Sequence, residues 1–177
     1  MQVLCPANTA ELREMLRRAV LEMDGPVAVR YPRGGDGRYT EAAASPLLRE
    51  GSDLTIVTYG STIHDVLTAC GHLQLDGYAC PEVIKLPQIQ PLDLQPILQS
   101  VKKTGRILVV EETAAVGCIG REIRSALSEL GMAPRSALLN LKNGIVPHGD
   151  VKSLRHMMGL DAEGIYQAAK ELLHHEA

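Results

Sequence analysis

Leu54-Thr55-Ile56-Val57-Thr58-Tyr59-Gly60-Ser61-Thr62-Ile63-His64-Asp65-Val66-Leu67 decides the fold. Its first six residues are β-branched or apolar and read as a buried strand. Gly60 breaks it, and Ser61 or Thr62 is placed to cap a helix. Ile63, Val66, Leu67, Cys70 and Leu73 then recur at helical spacing as one apolar stripe. The same unit repeats downstream. Val83–Leu86 is a second strand, and Pro91-Leu92-Asp93 opens a helix to about Lys103, where Pro96 fits only near the start. Ile107–Val110 is a third strand and 119–130 a helix with Ile119, Ile123, Ala126, Leu127 and Leu130 on one face. Ser136–Leu141 is a fourth strand. Two helices close the chain, one from Asp150 to about Met158 and one capped by Asp161 with Ile165, Ala168, Ala169, Leu172 and Leu173 inward. Strands separated by helices pair in parallel and are covered on both faces. An α/β domain follows, a three-layer open and mostly parallel sheet.

Upstream lies a separate β-α-β unit. Residues 2–5 are a short apolar run, and Asn8 offers an N-cap with Glu11 as its capping-box partner. Leu12, Met15, Leu16, Ala19, Val20 and Met23 make 9–23 amphipathic, and Asp24-Gly25-Pro26 stops the helix before strand 27–31. So small a unit needs a larger sheet to join, which sets the expectation that Met1 lies inside a larger domain of a longer ancestor. Residues 34–53, rich in Gly, Ala, Ser and charge, read as a linker with a short extended piece near Leu47-Leu48.

Composition narrows the function classes. With 177 residues, 45% hydrophobic and 22% charged, a normal core is expected. Aromatic residues make up 3%, with no Phe or Trp, so base-stacking platforms are not expected. A net charge of -3 without a long basic run argues against nucleic acid. No stretch approaches a membrane span, and the N-terminus lacks a secretory pattern. Cys5, Cys70, Cys80 and Cys118 have no Cys-x-x-Cys spacing, which fits reduced thiols in the cytoplasm.

Ligands gather at the C-terminal ends of strands in such sheets. That face would carry Tyr59-Gly60-Ser61, Pro87–Pro91, Glu111–Gly120 and Lys142–His148. Val27-Ala28-Val29-Arg30-Tyr31-Pro32-Arg33-Gly34-Gly35 ends a strand in two arginines, a proline and two glycines, a stiff cationic loop suited to an anionic group. Surface charge is the commoner home of such arginines. Glu111 and Glu112 are suited to acid–base work or a metal; alternatively one caps the following loop and the other faces solvent. Gly117-Cys118-Ile119-Gly120 at a helix start can hold an anion, or simply pack tightly. Cys118 there is either a somewhat activated thiol or a small packing residue. His148 suits proton shuttling or a structural loop contact. No pair of histidines has metal-ligand spacing, and no nucleophile elbow, Walker A loop or dinucleotide fingerprint is present.

The order of motifs adds a resemblance. Ala28-Val29-Arg30-Tyr31-Pro32-Arg33-Gly34, Arg49-Glu50-Gly51-Ser52-Asp53-Leu54, Tyr59-Gly60-Ser61, Pro91-Leu92-Asp93, Val109-Val110-Glu111-Glu112, Gly117-x-x-Gly120, His148-Gly149 and Gly159-Leu160-Asp161-Ala162-Glu163-Gly164-Ile165 run through nearly the whole chain. In this order they resemble the C-terminal part of 1-deoxy-D-xylulose-5-phosphate synthase, a thiamine-diphosphate-dependent transferase of the transketolase family. The resemblance implies that residues 1–38 correspond to the terminal β-α-β piece of a pyrimidine-binding domain, 39–53 to a linker, and 54–177 to a transketolase C-terminal-like domain. It implies an enzyme of isoprenoid biosynthesis that joins pyruvate to glyceraldehyde 3-phosphate with release of carbon dioxide. Arg33 matches the arginine that grips the acceptor phosphate, and Arg30 the other arginine of that motif. The diphosphate motif, magnesium ligands and activating glutamate would lie upstream of Met1. The chain alone is therefore expected to bind neither thiamine diphosphate nor magnesium and to contribute no catalytic residue. A homodimer is implied, with a separate chain carrying the thiamine-binding domains as a further partner.

The sequence departs from the pattern at Pro87-Gln88-Ile89-Gln90, at Cys118 and at Lys142-Asn143-Gly144. Two other readings stand beside the first: a free-standing binding or assembly module, and a subunit of a split transketolase-like enzyme with another substrate.

Overall fold

In the computed structural model, residues 1–32, 37, 39–40, 45–78 and 80–174 are described. The expected alternation is present. Strands β4 (Thr55–Thr58), β5 (Glu82–Lys85), β7 (Arg106–Val110) and β8 (Arg135–Leu139) lie parallel, and β3 (Leu47–Arg49) joins antiparallel to β5. The sheet order is β3-β5-β4-β7-β8. The extended piece read near Leu47 is thus an edge strand of this sheet, short and ending on a charge as edge strands often are.

Helices cover both faces. Helix α2 (Ile63–Leu75) and α6 (Ala162–His174) pack together on one side over Leu54, Ile56, Val83, Leu108 and Val110. Helices α3 (Gln95–Thr104) and α4 (Ile119–Glu129) cover the other side, over Val57, Ile84, Ile107 and Val109. Side chains of one strand alternate between the two cores, as the pleat requires. Ile123 and Leu127 of α4 are fully buried, but Leu130 projects from the helix end and is 60% exposed, contrary to the periodic reading. Helix α5 (Val151–Met158) buries none of its residues completely.

The N-terminal unit is β1 (Gln2–Leu4), α1 (Thr9–Leu21) and β2 (Val27–Val29), with β1 and β2 parallel. Its sheet has a third member that the sequence did not reveal: β6 (Gln88–Gln90), antiparallel to β1. Pro87–Pro91 was expected at a ligand face; its backbone is instead used in this pairing, with the Pro87 carbonyl accepting from Cys5 N–H at 2.9 Å. The sheet order β2-β1-β6 leaves β2 at an edge. On α1, Met15 is buried, whereas Leu16 and Val20, expected inward, are 44% and 79% exposed.

Helix starts follow local chemistry, with two corrections. Asn8 Oδ1 accepts from Glu11 N–H at 2.8 Å, as expected for a cap, but the Glu11 carboxylate reaches Ala7 N–H rather than completing a box on Asn8. Neither Ser61 nor Thr62 caps α2. A 3-10 turn over Gly60–Thr62 precedes the helix, and the Thr62 hydroxyl donates back to Tyr59 O at 2.8 Å. Asp150 and Asp161 behave as predicted, their carboxylates accepting from Ser153 and Gly164 N–H.

Candidate functional site

The end of β2 and the C-terminal end of β4 meet at a cleft of about 160 Å³. Arg30, Tyr31 and Pro32 form one wall. Tyr59, Gly60, Ser61 and Thr62 form the other, with Glu112 from the end of β7 and Cys5 from the end of β1. Two elements far apart in sequence are thereby brought to one place. Strand β2 is aimed there by pairing with β1, where Arg30 N–H donates to Leu4 O at 2.8 Å. Gly60 has φ +62°, a left-handed turn that suits glycine. It lets the chain double back beneath Arg30.

Arg30 is exposed, and its guanidinium carbon stands 5.7 Å from the centroid of the Tyr59 ring. That stacking, with a polar contact to the Tyr59 hydroxyl, holds the guanidinium over the cleft. Burial first, and then the Glu111 charge, push the Tyr59 hydroxyl well above its usual range, so it remains a donor. Arg33 lies outside the described residues.

The other sequence candidates separate. Glu111 is fully buried and accepts from Ile119 N–H (3.0 Å), Gly120 N–H (2.8 Å) and the Tyr59 hydroxyl (2.9 Å). It is an internal cap, the plainer of its two readings. It also occupies the helix start at Gly117–Gly120, where an external anion would otherwise bind. A Cβ on Gly120 would lie 2.7 Å from Leu138 Cδ2 and 3.0 Å from Glu111 Oε1, so the glycine serves close packing. Glu112 points the other way and pairs with Arg155 at 2.6 Å.

Cys118 is 3% exposed, and burial together with Glu111 raises its thiol despite the Arg121 N–H. An activated thiol there is not supported. His148 is exposed and does not line the cleft. His64 is structural: Nδ1 accepts from Tyr39 N–H at 3.2 Å, and Nε2 faces Ala7 O at 3.3 Å, which suits the neutral ring with its proton on Nε2. Arg155 was missed. Nothing in a lone arginine on a short amphipathic helix signals partners some 90 residues away.

A whole thiamine diphosphate does not fit here, since the cleft falls below the roughly 300–1,000 Å³ usual for sites that enclose such molecules. Among the described residues no group of three or more His, Cys, Asp or Glu is placed to hold a metal ion. The cleft sets one arginine, Arg30, and one carboxylate, Glu112, in the same lining.

Comparison with known proteins agrees with this architecture. Residues 44–165 match the family described as "Transketolase, C-terminal domain". The chain belongs to the transketolase C-terminal domain family. Among curated relatives, the chain is 35% identical to 1-deoxy-D-xylulose-5-phosphate synthase of Heliobacterium modesticaldum over 96% of its length and 27% of that protein. It is 36% identical to the synthase of the same name from Magnetococcus marinus, over 98% of the chain and 29% of that protein. The chain therefore spans a little over a quarter of these relatives. Among solved structures, "Split gene transketolase, inactive beta4 tetramer" has a TM-score of 0.83 at 27% identity, covering 98% of this chain and 57% of that one. A Pichia stipitis transketolase mutant has a TM-score of 0.72 at 17% identity over 97% of this chain and 25% of that one, a likeness of fold. No helix among the described residues is long and apolar enough to cross a membrane.

Proposed function

We propose that this chain is the acceptor-binding and assembly part of a 1-deoxy-D-xylulose-5-phosphate synthase-like transferase. In that reaction pyruvate and glyceraldehyde 3-phosphate give 1-deoxy-D-xylulose 5-phosphate and carbon dioxide. The observation that carries the reading is the cleft that sets Arg30 of the Arg30–Arg33 segment against the Gly60–Thr62 turn. Arg33 and Arg30 hold the acceptor phosphate, and thiamine diphosphate with magnesium is held by residues outside this chain.

The N-terminal unit supports this division. It has a parallel edge strand, β2, and Leu16, Val20 and Leu21 of α1 are exposed at 44%, 79% and 69%. Residues 1–38 are then the terminal β-α-β of a pyrimidine-binding domain completed by a thiamine-binding partner, 39–53 a connection, and 54–177 the C-terminal-like domain. The likeness to a split-gene transketolase favours a partner on a separate chain, in a cytoplasmic assembly of paired copies. The Pro87–Gln90 departure leaves a second acceptor chemistry as the alternative within the same arrangement.

The test is reconstitution. The chain is mixed with a thiamine-binding half, thiamine diphosphate and magnesium, and carbon dioxide release from pyruvate plus glyceraldehyde 3-phosphate is measured. No turnover at any ratio sinks the reading. In an active assembly Arg33→Ala weakens the phosphorylated acceptor by about 2–5 kcal/mol, the scale of a lost charge-assisted pair.

A further inference from the structure

Helix α5 lies against the strand ends that form the cleft, yet buries no residue completely. Met158 packs against the core on one side, and one side chain, Arg155, reaches the cleft walls. The Arg155 guanidinium donates from Nη2 to Ser61 Oγ (2.7 Å) and Glu112 Oε2 (2.6 Å), from Nε to the same Glu112 oxygen (3.2 Å), and from Nη1 to Asp65 Oδ2 (3.3 Å). A guanidinium presents its donors to these three acceptors in one fixed planar fork, which an ammonium does not have. The side chain is 20% exposed, so its charge is only partly screened.

Two of its three partners, Ser61 and Glu112, are walls of the cleft. Glu112 is the only carboxylate among the described lining residues, and it shares the cleft with Arg30. Unpaired, it would repel an anionic group there. Held by Arg155, it is turned toward α5 and its charge is compensated. We propose that Arg155 is a positioning residue of the cleft: it fixes the Ser61 and Glu112 walls and cancels the Glu112 charge, so that Arg30 meets an anionic ligand unopposed. This rests on reading the cleft as an anion site.

The test uses inorganic phosphate as the probe and the full chain, titrated by amide chemical shifts at Arg30, Gly60 and Ser61. Arg155→Gln is expected to weaken phosphate binding about tenfold, the effect of one uncompensated charge at partial exposure. Arg155→Gln with Glu112→Gln should recover most of the loss, because the repelling charge is gone although the clamp is not rebuilt. Hydrogen exchange of the α5 amides is measured on the same variants and should accelerate in both. Loosened α5 with unchanged phosphate affinity would overturn the proposal, leaving Arg155 a structural clamp alone. Failure of the double variant to recover binding would overturn its charge component. If the unaltered chain shows no phosphate shifts, the anion reading fails. The wall-fixing role is then decided by whether Arg155→Gln moves the Ser61 and Glu112 amides, and it is overturned if they stay in place.

Discussion

Glu11, in the first turn of α1, and Lys85, the last residue of β5, form an ion pair that is almost wholly removed from solvent, with 4% and 2% of their side chains exposed. It joins the N-terminal β-α-β unit to the five-stranded sheet. Glu11 also accepts from Ala7 N–H and the Tyr39 hydroxyl, and the Lys85 ammonium lies 5.5 Å from the centroid of the Tyr39 ring. Burial pulls the Lys85 ammonium below its ordinary range, and Glu11 opposes that shift. The pair is thus sustained by its partners rather than by water.

Removing one member should cost more than removing both. Lys85→Met leaves the Glu11 carboxylate buried without a cation and is expected to destabilise the chain by about 3–5 kcal/mol. The double variant Lys85→Met with Glu11→Leu is expected to recover a large part of that. Urea unfolding of the three proteins measures both terms. A double variant no more stable than Lys85→Met would mean that the uncompensated Glu11 charge is not the cause of the single variant's loss.

Glu111 is expected to matter for stability rather than chemistry. Glu111→Ala strands two α4 N–H groups and the Tyr59 hydroxyl, a loss of about 2–4 kcal/mol on the usual scale for buried unsatisfied donors. Tyr59→Phe removes one of those bonds and should cost about 1 kcal/mol. Thermal unfolding of both variants distinguishes this ranking from its reverse.

Acid should loosen the C-terminal helix pair. The Ser153 N–H and hydroxyl hold the Asp150 carboxyl below 3.8. For Asp161, burial would raise the carboxyl, but Gly164 N–H and His156 outweigh it and hold it below 3.8 as well. Both groups bind fewer protons folded than unfolded. Their stabilisation is present in full above that value and is lost as the pH falls through the lower folded values. Amide exchange across 151–174 should therefore accelerate below pH 3.8 before exchange in β4 and β7 does, whereas Asp161→Asn should shift that acid response. Uniform acceleration across the chain would contradict this.

What the sequence revealed and concealed divides along physical lines. Strands such as Ile107–Val110 and helices such as α2 were legible because their apolar periods are long enough to beat chance. Proline near the start of α3 and aspartate before α5 and α6 marked helix starts through local hydrogen-bond chemistry. Strand β6 was not legible: Gln88-Ile89-Gln90 has no strand composition and forms because β1 supplies a ladder. Lys85 read as part of an apolar strand, and its partner Glu11 lies 74 residues away. Leu16 and Val20 misled in the opposite sense, since a helical stripe is buried only where a neighbour exists to cover it. The cleft was half legible, as Arg30 and Tyr59-Gly60-Ser61 were each singled out, but nothing local said that they meet.

The four cysteines should differ sharply in reactivity. Cys5 and Cys70 are buried, and burial pushes each thiol up to about 11. Cys118 is buried too, and raised for the same first reason with Glu111 adding to it. Thiolate is the reacting form, so these three are protected both by access and by protonation. Cys80 is exposed, and its sulfur accepts from Arg49 Nε at 3.2 Å. A thiol reagent at neutral pH should therefore label one residue of the native chain, Cys80, with the other three reacting at the rate of unfolding. Cys80→Ser should abolish the fast phase. Fast labelling of Cys118 in that variant would overturn the assignment of its thiol as a packing group and return the helix start at 117–120 to the set of candidate sites.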